Sequence, residues 1–207
     1  MKSISPSIPR VLFLIGTPGA GKTYFAEKFS ETFSAPFIQT EAIRNNLNSQ
    51  PQYSSEEQKK VDAMALYMFD ELVKTGKTFL YEGGLETRSA RISIAKRARK
   101  YNYEPMFIWV QTEPTTAKQR AVKGVRGHTN QLIPESRYEH LVSKFTSPNQ
   151  SEKPVVISGK HTYSSQAKII LRRLAEVRPA APQKEKAPLR VPERKSKKSS
   201  SIKITQS

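Results

Sequence analysis

The segment Gly16-Thr17-Pro18-Gly19-Ala20-Gly21-Lys22-Thr23 constrains this chain more than any other. Its spacing is G-x-x-x-x-G-K-[ST], and it follows directly on the apolar run Val11-Leu12-Phe13-Leu14-Ile15. A buried strand that turns through glycines into a helix gathers backbone N–H groups into an anion-binding nest at the helix N-terminus. A side chain in the turn would hold a phosphate away from those amides, and some turn positions need φ > 0. Lys22 is spaced to reach the β- and γ-phosphates, and the Thr23 hydroxyl is placed to ligate Mg²⁺. The spacing predicts a nucleoside-triphosphate site over residues 16–23, with Tyr24 adjoining it at the start of the helix.

Length and charge bound the rest. A chain of 207 residues fits one domain with room for a tail. From Arg178 to Ser207 there are nine Lys/Arg, two Glu and four Pro with few large apolar residues. Such a segment cannot bury enough surface to offset its ordering entropy, so a disordered basic tail is expected over 178–207 and a folded domain over 1–177. The tail carries +7 of the formal net charge of +17, leaving a folded part that is itself basic at +10. That balance suits nucleotides, phosphorylated substrates or nucleic acid, or a merely solubilising surface. The chain has no cysteine, which excludes disulfides and thiolate metal sites and fits a cytoplasmic location. His128, His140 and His161 lack zinc-site spacing. No secretory signal or membrane-length apolar run is visible, so no membrane partner is expected.

Strand and helix signals alternate along the chain. Strands are expected at 11–15, 36–40, 78–81, 104–110 and 154–158, and helices at 22–33, 54–74, 86–101, 114–122, 134–145 and 164–177, with a helical turn over 41–47. Phe25, Phe29 and Phe33 mark one stripe of the first helix. Val61, Met64, Ala65, Met68, Phe69 and Leu72 mark the face of the helix 54–74, with Ser54 or Ser55 as its cap. In the helix 86–101, Ile92, Ile94, Ala95 and Ala98 are expected to face inward, leaving Arg88, Arg91, Lys96, Arg97, Arg99 and Lys100 as a solvated face or a nucleic-acid contact. Thr112 is read as the cap of the helix at Pro114. Strictly alternating strands and helices imply an α/β domain around a parallel sheet.

The order of these segments over residues 11–177 resembles the small P-loop kinases of the polynucleotide-kinase, zeta-toxin and chloramphenicol-phosphotransferase type, often described as AAA-like ATP-binding domains. The resemblance rests on the phosphate loop and on five later segments. These are Thr40-Glu41-Ala42-Ile43-Arg44, Phe79-Leu80-Tyr81-Glu82-Gly83-Gly84 with Arg88 and Arg91, Val110-Gln111-Thr112-Glu113-Pro114 with Arg120 and Arg126, Ile133-Pro134-Glu135, and Phe145-Thr146-Ser147-Pro148. It implies a three-layer P-loop NTPase fold with a five-stranded, mainly parallel sheet. It also implies ATP and Mg²⁺ as cofactors and phosphoryl transfer to a hydroxyl of a small molecule or polynucleotide.

Site roles come with the resemblance. Gly16 to Thr23 and Tyr24 hold the nucleotide, with Lys22 on its phosphates. Glu41 is the candidate base, Arg44 holds an anionic acceptor, and Glu82 orients a metal-bound water. Arg120 and Arg126 bracket a basic loop that closes over the phosphates. The chain departs from the family where Glu41 and Glu82 stand in place of the usual aspartates. Its only aspartates, Asp62 and Asp70, fall on one expected solvated face of the helix 54–74. For each candidate a structural role stays open: Glu41 as a helix-start carboxylate, Arg44 as a surface charge, Glu82 as a strand-end carboxylate paired with an arginine, and the 123–128 loop as solvated. Two rival functions also stand, a nucleic-acid-associated ATP-binding module gripping through the basic tail, and a nucleotide-binding fold without catalysis. ATP against GTP and the oligomeric state stay open.

Overall fold

The computed structural model describes residues 8–124 and 132–176. Five strands, β1 (Arg10–Ile15), β2 (Phe37–Gln39), β3 (Phe79–Glu82), β4 (Glu104–Gln111) and β5 (Val155–Ser158), form one sheet in the order β2-β3-β1-β4-β5. Every strand pair is parallel. Register aligns Leu14 with Glu82 and Gln39 with Glu82, so β1, β2 and β3 end together.

β1 is buried along its whole length, because both of its faces are covered. Val11, Phe13 and Ile15 point into one core with Val61, Ala65 and Phe69 of α3 (Ser55–Val73) and Ala95 and Ala98 of α4 (Arg88–Lys100). Leu12 and Leu14 point into the other with Phe25 and Phe29 of α1 (Lys22–Phe33) and Ile170 and Leu174 of α7 (Tyr163–Glu176). The layers are therefore helix, sheet and helix. Burying a side chain the size of Phe13 or Leu12 contributes about 1.5–3 kcal/mol against leaving it in water. Phe13 sits 5.4 Å from the ring of Phe107 and 5.8 Å from that of Tyr81.

The chain leaves central β1 toward β2 and β3 on one side and toward β4 and β5 on the other. In open α/β sheets a crevice opens outside the carboxyl ends of the strands at such a switch point. The glycine loop 16–21 sits at that end of β1. The segment expected as a turn over 41–47 is a full helix, α2 (Thr40–Leu47), which starts immediately after β2. α5 (Pro114–Val122) and α6 (Glu135–Lys144) complete the described elements, with a 3₁₀ turn at Gln150–Glu152.

Three expectations are corrected. Helix α4 begins at Arg88 because the Thr87 hydroxyl caps it, accepting from the Ala90 N–H at 3.2 Å. Ile92 then stands outside, 43% exposed, and Arg91 is the buried residue instead. Its guanidinium donates to Glu152 Oε1 at 2.6 Å and Oε2 at 3.2 Å and to the carbonyl of Leu85 at 3.1 Å. Asp62 is exposed, but Asp70 is half-buried and accepts two hydrogen bonds from Arg97, so the two aspartates do not share a solvated face. On α3, Val73 is buried and Met64 is exposed, while Ser54 caps the helix by accepting from the Glu57 N–H. The tail expected over 178–207 lies outside the described residues.

Candidate functional site

Neighbouring backbone leaves no room for a side chain at two positions of the phosphate loop. Gly16 has φ 148°, and a Cβ there would meet the Val110 carbonyl at 2.5 Å; Gly19 has φ 75°, and a Cβ would meet the Ala117 carbonyl at 2.1 Å. Gly21, in the left-handed region, opens α1, whose first turn carries no acidic residue. Unpaired N–H groups at a helix start, with no carboxylate competing for them, suit an anion.

A residue far along the chain buttresses the loop. The Thr112 hydroxyl donates to the Ala20 carbonyl at 2.9 Å, and Gly159 lies so close that a Cβ would come within 1.9 Å of the same oxygen. Thr112 therefore does not cap α5; Glu113 occupies that position with no side-chain cap. Gly159 in turn donates its N–H to Gln111 and accepts from Arg120 Nη1 at 3.1 Å. This ties α5 to the loop after β5.

Lys22 Nζ donates to the carbonyls of Gly16 at 3.0 Å and Thr17 at 2.9 Å, and lies 3.9 Å from Glu82 Oε1. The Thr23 hydroxyl donates to both Glu82 oxygens, at 3.0 Å and 2.9 Å. Glu82 is 8% exposed at the end of β3. Burial pushes its carboxyl above the ordinary range, and the Lys22 ammonium and Thr23 hydroxyl pull it back only in part. Its partners are thus a lysine and a threonine, not an arginine. Two oxygen donors, one hydroxyl and one carboxylate, next to a phosphate nest fit Mg²⁺, which takes one or two protein oxygens together with phosphates and waters. Among the described residues no cluster of three or more His, Asp or Glu is shaped to hold a metal alone. Tyr24, beside Thr23, is 39% exposed.

Glu41 stands on the first turn of α2, next to Thr40, against which Gly83 packs so closely that a Cβ would meet the Thr40 hydroxyl at 1.8 Å. The Glu41 charge acts on Glu82, raising its carboxyl further. Glu41 Oε2 lies 3.4 Å from Arg44 Nε. Arg44 is 1% exposed, not a surface charge. Its Nη1 donates to Glu57 Oε1 and its Nη2 to Gln58 Oε1, both at 2.5 Å. Its two terminal nitrogens are thus occupied, and the edge left over faces Glu41. Burial works against the charged form of Arg44, but Glu57 and Glu41 reverse that and hold its pKa above the ordinary value.

The structure thus brings Lys22, Thr23, Glu82 and Glu41 to one end of the sheet, with Arg44 behind Glu41. Arg120 lies across the loop through Gly159. Arg126 and His128 lie outside the described residues. Sequence reasoning missed Gly159, which carries no motif of its own. It also missed Tyr53 and Arg137, whose guanidinium and that of Arg44 both lie over the Tyr53 ring, at 4.7 Å and 4.9 Å from its centroid. Such contacts between separate elements leave no spacing to read.

The AAA domain family model matches residues 11–148. No curated protein matches the sequence. A gluconokinase from Sinorhizobium meliloti superposes with a TM-score of 0.60 at 17% identity, covering 83% of this chain and 94% of that one. The APS kinase of Mycobacterium tuberculosis, in complex with AMPPNP and APS, gives 0.61 at 15% identity over 83% of this chain and 99% of that one. A chain of the Pnkp1/Rnl/Hen1 RNA repair complex gives 0.58 at 20% identity over 70% of this chain and 45% of that one. The protein therefore belongs to the AAA domain family and has the α/β fold of the small P-loop kinases.

Proposed function

We propose that this chain is a phosphotransferase that moves the terminal phosphate of ATP to a hydroxyl of a small molecule or a polynucleotide end. The observation that carries the reading is the Lys22, Thr23 and Glu82 group at the carboxyl end of the sheet, with Glu41 on the first turn of the helix that starts at the same end. Phosphoryl transfer asks the protein for alignment and positive charge more than for covalent chemistry. The amides of residues 19–23 and the Lys22 ammonium bind the donor phosphates. Thr23 and Glu82 hold Mg²⁺, which supplies charge neutralisation at the phosphates when bound.

Glu41 accepts the proton of the attacking hydroxyl at its carboxylate. Arg44, whose two outer nitrogens are anchored by Glu57 and Gln58, orients Glu41 through Nε. Arg120 and Arg126 supply cations over the transferred group, each worth on the order of 10²–10³ in rate. An APS kinase of similar fold with AMPPNP bound supports ATP as donor. The catalytic unit in this reading is residues 1–177, with 178–207 as a basic tail, in the cytoplasm. No described helix is long and apolar enough to cross a membrane.

ADP release measured with the full-length protein against a panel of hydroxyl acceptors tests the proposal. Release that depends on one acceptor class and vanishes in Lys22→Ala supports it; turnover unchanged by Lys22→Ala refutes it. The exposed basic side of α4, with Arg88, Lys96, Arg99 and Lys100, favours a second reading, a nucleic-acid-associated ATPase module. ATP consumption stimulated by RNA or DNA with no phosphorylated product would select that one.

A further inference from the structure

Among the described residues, four buried side-chain nitrogen or oxygen atoms make no hydrogen bond. Two of them, Glu41 Oε2 and Arg44 Nε, face each other as an ion pair at 3.4 Å, whereas Arg137 Nε, whose guanidinium lies over the Tyr53 ring, has no such partner. Unsatisfied buried polar atoms are rare in folded proteins, so the unpartnered Arg137 Nε calls for an explanation. Tyr53 itself has φ 55°, a conformation that a bulky residue seldom adopts.

The two arginines on Tyr53 differ in one respect. A guanidinium seated over an aromatic ring keeps its N–H donors in its own plane, free to meet other groups at its edge. The Arg44 edge is filled by Glu57 and Gln58. Arg137, on α6, forms no ion pair among the described residues, and its buried Nε has no partner. A guanidinium edge matches the two oxygens of a carboxylate or phosphate. The Tyr53 cluster adjoins the site above through Glu41, which pairs with Arg44 at 3.4 Å and stands at the start of α2, directly after the β2 residue Gln39 that pairs with Glu82.

We propose that Arg137, seated on Tyr53, is the specificity residue for an oxyanion group of the acceptor, so that the substrate class is a hydroxyl compound bearing a phosphate or carboxylate. The inference rests on the phosphotransfer reading for its use of Glu41: Arg137 takes the anion, and the hydroxyl of the same molecule lies toward Glu41. A neutral polyol cannot fill this edge and is a poor acceptor. Arg137 binds and orients and exchanges no proton.

The test is calorimetry on the full-length protein saturated with AMPPNP and Mg²⁺, so that the phosphate loop is occupied. Glycerol 3-phosphate, glycerate and glycerol are the probes. Binding of the first two and not of glycerol is expected, and the preference between them identifies the group. Arg137→Gln should weaken the charged probes by about tenfold or more. Arg137→Lys, which keeps the charge without the fork, should fall between. AMPPNP affinity measured in the same cell reports whether each variant is folded. Equal binding of all three probes, binding of none, or an unchanged Arg137→Gln would overturn the proposal. Failure of AMPPNP to bind would count against the phosphotransfer reading instead, and the Arg137→Gln contrast would then be read on the nucleotide-free chain.

Discussion

The Thr23 hydroxyl donates to both carboxylate oxygens of Glu82, at 3.0 Å and 2.9 Å, and so joins the first turn of α1 to the end of β3. The carboxyl it meets is raised, chiefly by burial, with Lys22 and Thr23 opposing. A raised carboxyl holds its proton to higher pH in the folded chain than in the unfolded one. Its contribution to stability is therefore full below the unfolded carboxylate range and is lost as pH rises through the folded value. Glu82→Gln, a neutral side chain of the same shape, should raise the melting temperature of the nucleotide-free protein at pH 7. The same change should weaken Mg²⁺-dependent nucleotide binding and remove its rise with pH across the carboxylate range. Melting curves and Mg²⁺-AMPPNP titrations from pH 4.5 to 8 check both halves; a destabilised Glu82→Gln with unaltered pH dependence would refute the assignment.

Gly159 offers a test that no motif suggests. An added methyl would come within 1.9 Å of the Ala20 carbonyl and 2.3 Å of the Thr112 hydroxyl. Gly159→Ala should therefore push the phosphate loop out of shape and lower AMPPNP affinity by about tenfold or more, a loss of about 1.4 kcal/mol. Gly84→Ala is the control, because nothing lies within 4 Å of its Cβ position and the cost is limited to its φ of 64°. That cost is about 1 kcal/mol of stability. Equal nucleotide affinities for the two variants would contradict the buttressing role.

Arg91 and Glu152 form a buried pair that fastens α4 to the 3₁₀ turn before β5. Burial alone would raise the Glu152 carboxyl, but hydrogen bonds from Arg91 and from the Asn149 N–H hold it below the ordinary value. Its contribution is present above the unfolded carboxylate range and disappears as pH falls through the lowered folded value. Glu152→Ala, which strands the Arg91 charge, should cost about 3–5 kcal/mol, whereas Arg91→Leu with Glu152→Leu should cost much less. Urea unfolding of the three chains at pH 7, and of the wild type down to pH 3, decides the point. A double variant as unstable as Glu152→Ala would refute the account.

The features of this structure legible in the sequence are those governed by local rules. The glycine spacing and the apolar run before it give the strand, loop and helix around Lys22, and the alternation of patterns gives a parallel sheet with two covered faces. The phase of α4 is not legible in this way, because Thr87 sets where the helix begins, and a shift of one position exchanges Ile92 for Arg91. Arginine at an apolar position is a readable signal only once its partner is known, and Glu152 is 61 residues away. Arg44 resembles a surface charge for the same reason, since Glu57 and Gln58 reach it from α3. The Tyr53 cluster joins three separate elements and has no spacing at all.

The basic tail gives a prediction about charge. Ending the chain at residue 177 removes +7 of net charge and no described residue. AMPPNP affinity should stay unchanged, while binding to random-sequence RNA should weaken and lose part of its dependence on salt. A fall in nucleotide affinity would place the tail in the site, and an unchanged salt slope would make α4 the contact instead. Fluorescence anisotropy between 50 and 300 mM KCl separates these outcomes.

Transfer of phosphate to a hydroxyl can be followed with the label of γ-³²P-ATP. Full-length protein is incubated with the label, Mg²⁺ and a mixture of phosphorylated and carboxylated hydroxyl compounds, and the products are separated. A labelled acceptor is expected, lost in Lys22→Ala and reduced about a hundredfold or more in Glu41→Gln with AMPPNP still bound. Label recovered only as inorganic phosphate, or an acceptor labelled equally well by Glu41→Gln, would contradict it.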